Sequence, residues 1–116
     1  MTTYLALIYT EDMDWNQDTP VDMGDGYTEF NQAAAAVLRG GNALHSTSTA
    51  TTVRVSGGKG GDVLNTDGPY AETKEVLTGY YLLECADLEE AVKIVAQIPA
   101  TWSGGAVEIR PVVQFA

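Results

Sequence analysis

Between Asp67 and Glu75 the chain reads Asp-Gly-Pro-Tyr-Ala-Glu-Thr-Lys-Glu, which sets Asp67, Glu72, Lys74 and Glu75 in one short connection. Three carboxylates around one ammonium could raise the pKa of one acid and hold another ionised, the usual division between general acid and general base. Beside a sheet, such a group would line a cleft. The same four charges could instead form an ion-pair network that pins the turn, since structural networks perturb pKa values as active sites do. Gly68-Pro69 predicts the turn itself, because proline fixes its own φ and biases the preceding residue away from helix. Asp67 is expected to hydrogen-bond the backbone two residues on, as Asp commonly does at turns.

The one histidine, His45, lies near Ser46 and Ser48. It is either a proton-transfer candidate or an exposed loop imidazole. One His and one Cys, with no His-x-x-x-His spacing, make no metal constellation. The glycine run Gly57 to Gly61 lacks a following Ser or Thr and a strand-to-helix context, so it is not a phosphate loop. No cofactor is expected. Cys85, the only cysteine, ends an apolar stretch and has no basic cluster beside it to lower its pKa.

These residues need elements to hold them. Thr3 to Tyr9 and Leu77 to Cys85 are apolar on both faces and read as central strands. A helix is predicted from Thr19-Pro20-Val21-Asp22, a cap followed by proline at the first helical position. Tyr27, Phe30, Ala34, Val37 and Leu38 recur on its face at helical spacing, and Gly40-Gly41 is expected to end it. Thr49 to Val55 alternates as a strand and Val63-Leu64 returns beside it as a hairpin. Asp87 and Glu90 form a capping pattern for a second helix that buries Leu88, Ala91, Val92 and Val95 and is closed by Pro99. Val107 to Val112 alternates as the last strand. The order strand, helix, strand hairpin, strand, helix, strand is a split βαβ arrangement. It predicts a ferredoxin-like α+β fold, βαββαβ, with an antiparallel sheet and both helices on one face. Tyr4, Tyr9, Tyr80 and Tyr81 then leave aromatic surface that two helices cannot hide, and a second subunit on the sheet face is the simplest cover.

A length of 116 residues is one domain, 1–116, long enough to bury roughly two-thirds of its unfolded surface. No run approaches the ~20 apolar residues of a membrane span. Met1-Thr-Thr passes directly into strand-like residues without a basic start, so no signal peptide is expected and a cytoplasmic location follows. Sixteen acids against six bases give a formal charge of −10, which repels phosphate backbones and anionic membranes alike. Neither nucleic acid nor membrane is an expected partner. Seven of the acids fall between Glu11 and Glu29, read as a solvated face or a cation site, although the spacing matches no calcium loop.

The Asp67–Glu75 segment, followed by Leu77-Thr-Gly-Tyr-Tyr-Leu-Leu-Glu84, resembles the signature of the DGPF branch of the YCII-related proteins, with Tyr70 where the name-giving Phe usually sits. The resemblance extends to Tyr4–Tyr9, Thr49-Ala-Thr-Thr-Val-Arg54, Asp87-Leu-Glu-Glu-Ala91, Ile98-Pro99 and Val107-Glu-Ile-Arg-Pro111, nearly the whole chain. It implies a dimeric α+β barrel-like assembly in which two sheets face each other around a cavity. The His and Asp often described as the active pair of YCII proteins cannot be carried over, because the first helix has no histidine. Asp67, Glu72, Lys74 and Glu75, with Glu108 and Arg110 of the last strand, do match the DGPF pattern.

Two functions follow. One is a lyase or hydrolase acting on a small aromatic or cyclic molecule in the dimer cavity, with Asp67 or Glu72 as acid or base and Tyr9 or Tyr81 stacking on the substrate. A related YCII-like group is associated with dehydrochlorination of a chlorinated hydroquinone. The other is a non-catalytic sensor or regulatory accessory, since DGPF proteins are frequently encoded beside extracytoplasmic-function sigma factors. A catalytic pocket should be small and closed and hold an acid of raised pKa. A sensor pocket should be mainly apolar.

Overall fold

The structure, a computed structural model, describes residues 1–15 and 25–115. Its centre is an antiparallel pair. Strand β1 (Thr2–Glu11) and strand β5 (Glu75–Cys85) run together from Thr2 opposite Cys85 to Glu11 opposite Glu75. Strand β6 (Ala106–Pro111) joins the free edge of β1, and strand β2 (Leu38–Ala43) joins that of β5, giving the order β2-β5-β1-β6. Helices α1 (Asp25–Ala33) and α2 (Leu88–Val95) complete a mixed α+β architecture with antiparallel sheets, consistent with the ferredoxin-like pattern.

Side chains alternate across a strand, so the two faces of β1 have different fates. Tyr4, Ala6 and Ile8 are buried, and they pack with Phe30 and Ala34 of the first helical segment, Ala91 and Val95 of α2, and Leu83 and Cys85 of β5. Phe30, Leu83 and Ile98 are fully enclosed. Truncating one of them to Ala would cost about 2–5 kcal/mol in lost transfer energy and cavity. Cys85 is enclosed too, and burial, reinforced by the Glu90 carboxylate, pushes its thiol up and keeps it protonated.

Helix α2 begins as the Asp-x-x-Glu spacing predicts. The Asp87 carboxylate accepts the Glu90 N–H at 2.9 Å, and Glu90 reaches back to accept the Ala86 N–H at 3.4 Å. It ends at Val95, before Pro99, which instead heads a short 3-10 turn through Thr101.

The first helix departs from the sequence expectation. Its predicted start at Thr19-Pro20 lies outside the described residues. Its end comes at Ala33, after which Ala34 to Val37 turn and Leu38 opens β2. Tyr27, Phe30 and Ala34 do form the buried stripe. Val37 and Leu38 reach the same core from the turn and the strand, so apolar spacing of 3 and 4 could not tell the two apart. Gly40-Gly41 does not end a helix either. Both are extended strand residues, opposite Leu82 and Tyr81.

The predicted hairpin exists, but outside the main sheet. Strands β3 (Thr51–Ser56) and β4 (Asp62–Asp67) pair only with each other around the glycine turn, and Thr52 is their one residue that is not exposed. At its base Gly68, with φ of 105°, donates its N–H to Ala50 O at 2.8 Å, and the Thr52 hydroxyl donates to Gly68 O at 2.9 Å. Asp67 does not make the expected bond, because the residue two on is Pro69, which has no N–H.

The four tyrosines also divide. Tyr4 and Tyr81 lie on the helix side, in or against the core. Tyr80 pairs with Leu7 on the opposite face, where Leu5 stands between Leu82 and Arg110.

Gly79 sits where β5 bulges and β2 comes close. A Cβ there would lie 3.1 Å from Asn42 O and 3.5 Å from Ala43 Cα. Gly79→Val is expected to lower stability by about 1–3 kcal/mol through forced backbone shifts. A melting curve identical to that of the parent protein would contradict this.

Candidate functional site

The bulge builds the site. Ile8 pairs with Gly79 and Tyr9 with Leu77, which leaves Thr78 as the extra residue on β5. Bulges re-aim side chains. Here the Thr10 hydroxyl lies 2.8 Å from Glu11 O and 3.1 Å from the Thr78 hydroxyl, and the buried Thr78 hydroxyl lies 3.5 Å from Ile8 O, so both are satisfied.

Above the bulge lies a cavity of about 550 Å³. Ile8, Thr10, Thr78 and Gly79 line it from β1 and β5, and Tyr27 and Asn31 face it from α1. The edge strand β2 contributes Leu38, Gly41 and Ala43, and Tyr81 closes the inner wall. The Tyr81 ring is fixed from both sides. Its centroid is 4.7 Å from that of Phe30 at a 49° tilt, a favourable aromatic geometry. On the other side it lies over Gly41, where a Cβ would come within 2.6 Å of Tyr81 Cδ1 and 2.7 Å of Tyr80 O. Only glycine allows both the ring and the strand to pass there. Asn42 donates from its amide to the Tyr80 hydroxyl at 2.8 Å along the outer rim.

Met13 and Trp15 cover the cavity from the segment after β1. Two anchors hold that strap to the connection after β2. Trp15 Nε1–H donates to Leu44 O at 2.7 Å. The Asp12 carboxylate accepts the Thr47 N–H at 3.1 Å, the Ser46 hydroxyl at 3.2 Å and the Thr47 hydroxyl. Chiefly the Thr47 hydroxyl, then the Thr47 N–H, hold the Asp12 carboxyl below the usual carboxylate range.

Burial pushes the phenols of Tyr27 and Tyr81 up, and Tyr27 lies near enough to add to the shift of Tyr81. Both hydroxyls therefore stay protonated at neutral pH, able to donate and to accept. Among the described residues, no carboxylate, ammonium, guanidinium or imidazole lines the cavity.

The residues singled out from the sequence fall in four places. Tyr81 is in the cavity. Tyr9, Glu108 and Arg110 lie on the opposite face of the sheet, with Glu108 and Arg110 across from Leu7 and Leu5. Asp67 ends the exposed hairpin, Glu72, Lys74 and Glu75 follow on the surface, and no ion pair joins these four. His45 is exposed in the loop between the strap's two anchor points, Leu44 and Thr47. Trp15, Tyr27, Asn31, Gly41 and Thr78 were not picked out as site residues. The available signal was the pair of small residues, Gly40 and Gly41, in a strand set against Tyr80-Tyr81.

The protein is thus an α+β chain with a cavity beside the central strands of its antiparallel sheet. The chain matches the YCII-related domain over residues 4–116 and belongs to that family. It is also similar to an uncharacterised protein, R00369, of Rhizobium meliloti (strain 1021), at 41% identity over 73 residues. That match covers 62% of this chain and 56% of the relative, so the alignment spans little more than half of that protein. Among the described residues no helix is long and apolar enough to cross a membrane.

The strap should respond to acid. A carboxyl whose folded pKa lies below its ordinary value of 3.8 contributes fully above that value, and the contribution is lost as pH falls through the lowered one. In a Trp102→Phe background, Trp15 emission is expected to hold steady from neutrality to 3.8 and to shift towards the solvent-exposed wavelength below it. Asp12→Asn should show the exposed emission already at neutral pH. Superimposable titrations of the two would argue against the strap.

Proposed function

We propose that this protein is a non-catalytic small-molecule-binding module, a DGPF-type sensor or regulatory accessory, whose ligand occupies the cavity under Trp15. One observation carries this reading. The cavity is about 550 Å³, within the roughly 300–1,000 Å³ of small-molecule sites, and its described lining is apolar or uncharged. A lyase or hydrolase working through Asp67, Glu72, Lys74, Glu75 or His45 would need those groups at a pocket, and none of them lines this one. The absence of a carboxylate from the described lining supports binding over acid–base chemistry.

The test uses the neutral fluorophore N-phenyl-1-naphthylamine, whose emission rises in an apolar site. It is expected to bind the parent protein and to quench Trp15. Ala43→Trp, which places a large ring on the exposed edge strand at the cavity, should abolish the signal while leaving the fold intact by circular dichroism. Asp67→Asn and Glu72→Gln should bind normally, with stability changed by no more than about 0.5 kcal/mol, as for unpartnered surface groups. Loss of binding in either acid variant would favour the catalytic account.

The open sheet face supports a second proposal, a homodimer through that face. Leu5, Leu7 and Leu82 are apolar, only half-buried, and lie on the side away from both helices. Light scattering at micromolar concentration should give twice the chain mass, and Leu7→Glu should halve it. A monomeric parent protein would remove the proposal.

A further inference from the structure

The geometry points to an uncharged, flat ligand with a hydrogen-bonding oxygen at the end that meets Tyr27 and Tyr81. This rests on the cavity being the binding site, and it goes further by excluding classes of ligand that its size alone would admit.

The exclusion follows from what surrounds the site. A carboxylate or phosphate brought under Trp15 would give up part of its water and find no cation in the described lining. An ion buried without a partner is strongly disfavoured. The formal charge of −10 adds long-range repulsion of anions. A cation would be drawn towards the molecule by that same field, yet it would find no carboxylate in the described lining to replace its hydration. The described lining thus turns away both signs by desolvation.

The shape preference comes from the walls. Tyr81 is packed between Phe30 and Gly41, and Trp15 is tied to Leu44, so two aromatic side chains held by their neighbours line the space. Rigid rings favour a flat guest that stacks or meets their edges.

The polar requirement comes from the two phenols. Tyr27 and Tyr81 both line the cavity and lie close enough to influence each other, and no hydrogen bond from a described residue reaches either hydroxyl. Thr10 and Thr78 already satisfy each other at the floor. Free hydrogen-bonding capacity therefore lies at the tyrosine end, where the Asn31 amide, one turn along α1 from Tyr27, adds to the two phenols. A hydroxyl or carbonyl oxygen on the ligand can accept from one phenol, and a hydroxyl can donate to the other.

The experiment displaces bound N-phenyl-1-naphthylamine with four probes of one ring size: 2-naphthol, 2-methylnaphthalene, 2-naphthoate and 2-naphthylmethylamine. On the parent protein, 2-naphthol is expected to compete best. The methyl compound should be roughly 3- to 10-fold weaker for want of a hydrogen bond, and both ionic compounds weaker than 2-naphthol by more than about tenfold. In the Tyr27→Phe/Tyr81→Phe double variant, which keeps the rings, 2-naphthol should fall to the level of the methyl compound. Fluorophore affinity is measured directly in that variant, so that 2-naphthol and the methyl compound are compared as inhibition constants rather than as raw displacement. Equal or better displacement by either ionic probe would overturn the inference while leaving the cavity reading intact. So would a preference for 2-naphthol that survives in the double variant. Failure of the fluorophore to bind the parent protein would overturn both.

Discussion

The four-stranded sheet and the core packed against it take their position from the pairing of β1 with β5. The two strands share ten aligned residue pairs from end to end, and each offers its outer edge to one further strand. Their common face receives both helices, which is why Tyr4, Ala6, Ile8 and Leu83 supply so much of the core. The single irregularity in that pairing, the bulge at Ile8/Tyr9, is also where the cavity opens. A perfectly regular ladder would leave no extra residue at Thr78 and no hydroxyl pair on the cavity floor. The defect in the sheet and the candidate site are the same feature.

What surrounds the cavity is a compromise between aromatic bulk and close backbone approach. Tyr81 needs space that β2 can yield only by dispensing with a side chain at position 41. Phe30 then fills the space behind the ring. Glycine in a strand interior costs stability through backbone entropy and lost packing. Here that cost accompanies a rigid aromatic wall, and the strap from Asp12 to Trp15 supplies the cover that the edge strand cannot.

The sequence made much of the fold legible. The central strands, the capped second helix and the hairpin could be read from runs, caps and turns, because each depends on local chemistry. Strand β2 could not. Leu-Arg-Gly-Gly-Asn-Ala has no alternation and little strand propensity, and Val37-Leu38 continued a helical stripe well enough to hide the boundary. Only the facing strand, through Tyr81 and Leu82, makes that segment extended. The site was less legible for a related reason. Ionisable residues drew the eye to Asp67, Glu72, Lys74 and Glu75, whereas the described lining of the cavity is uncharged. Of the residues proposed from the sequence, Tyr81 alone lines it. Trp15 and Tyr27 come from segments whose approach to β2 depends on long-range packing rather than on any local motif.

The hairpin of β3 and β4 bears on how this chain can be handled and how it could change over time. It stands outside the four-stranded sheet, its five-residue glycine-rich tip from Gly57 to Gly61 touches nothing in the core, and three of those residues have positive φ. Exposed tips of this kind are preferred sites of proteolytic nicking and of tolerated insertion. A peptide epitope, a dye-labelling cysteine or an entire foreign domain could be spliced there with the cavity and the β1–β5 pair left as they are. The arm is thus a natural attachment point, open to acquiring new sequence without the rest of the domain having to be rebuilt.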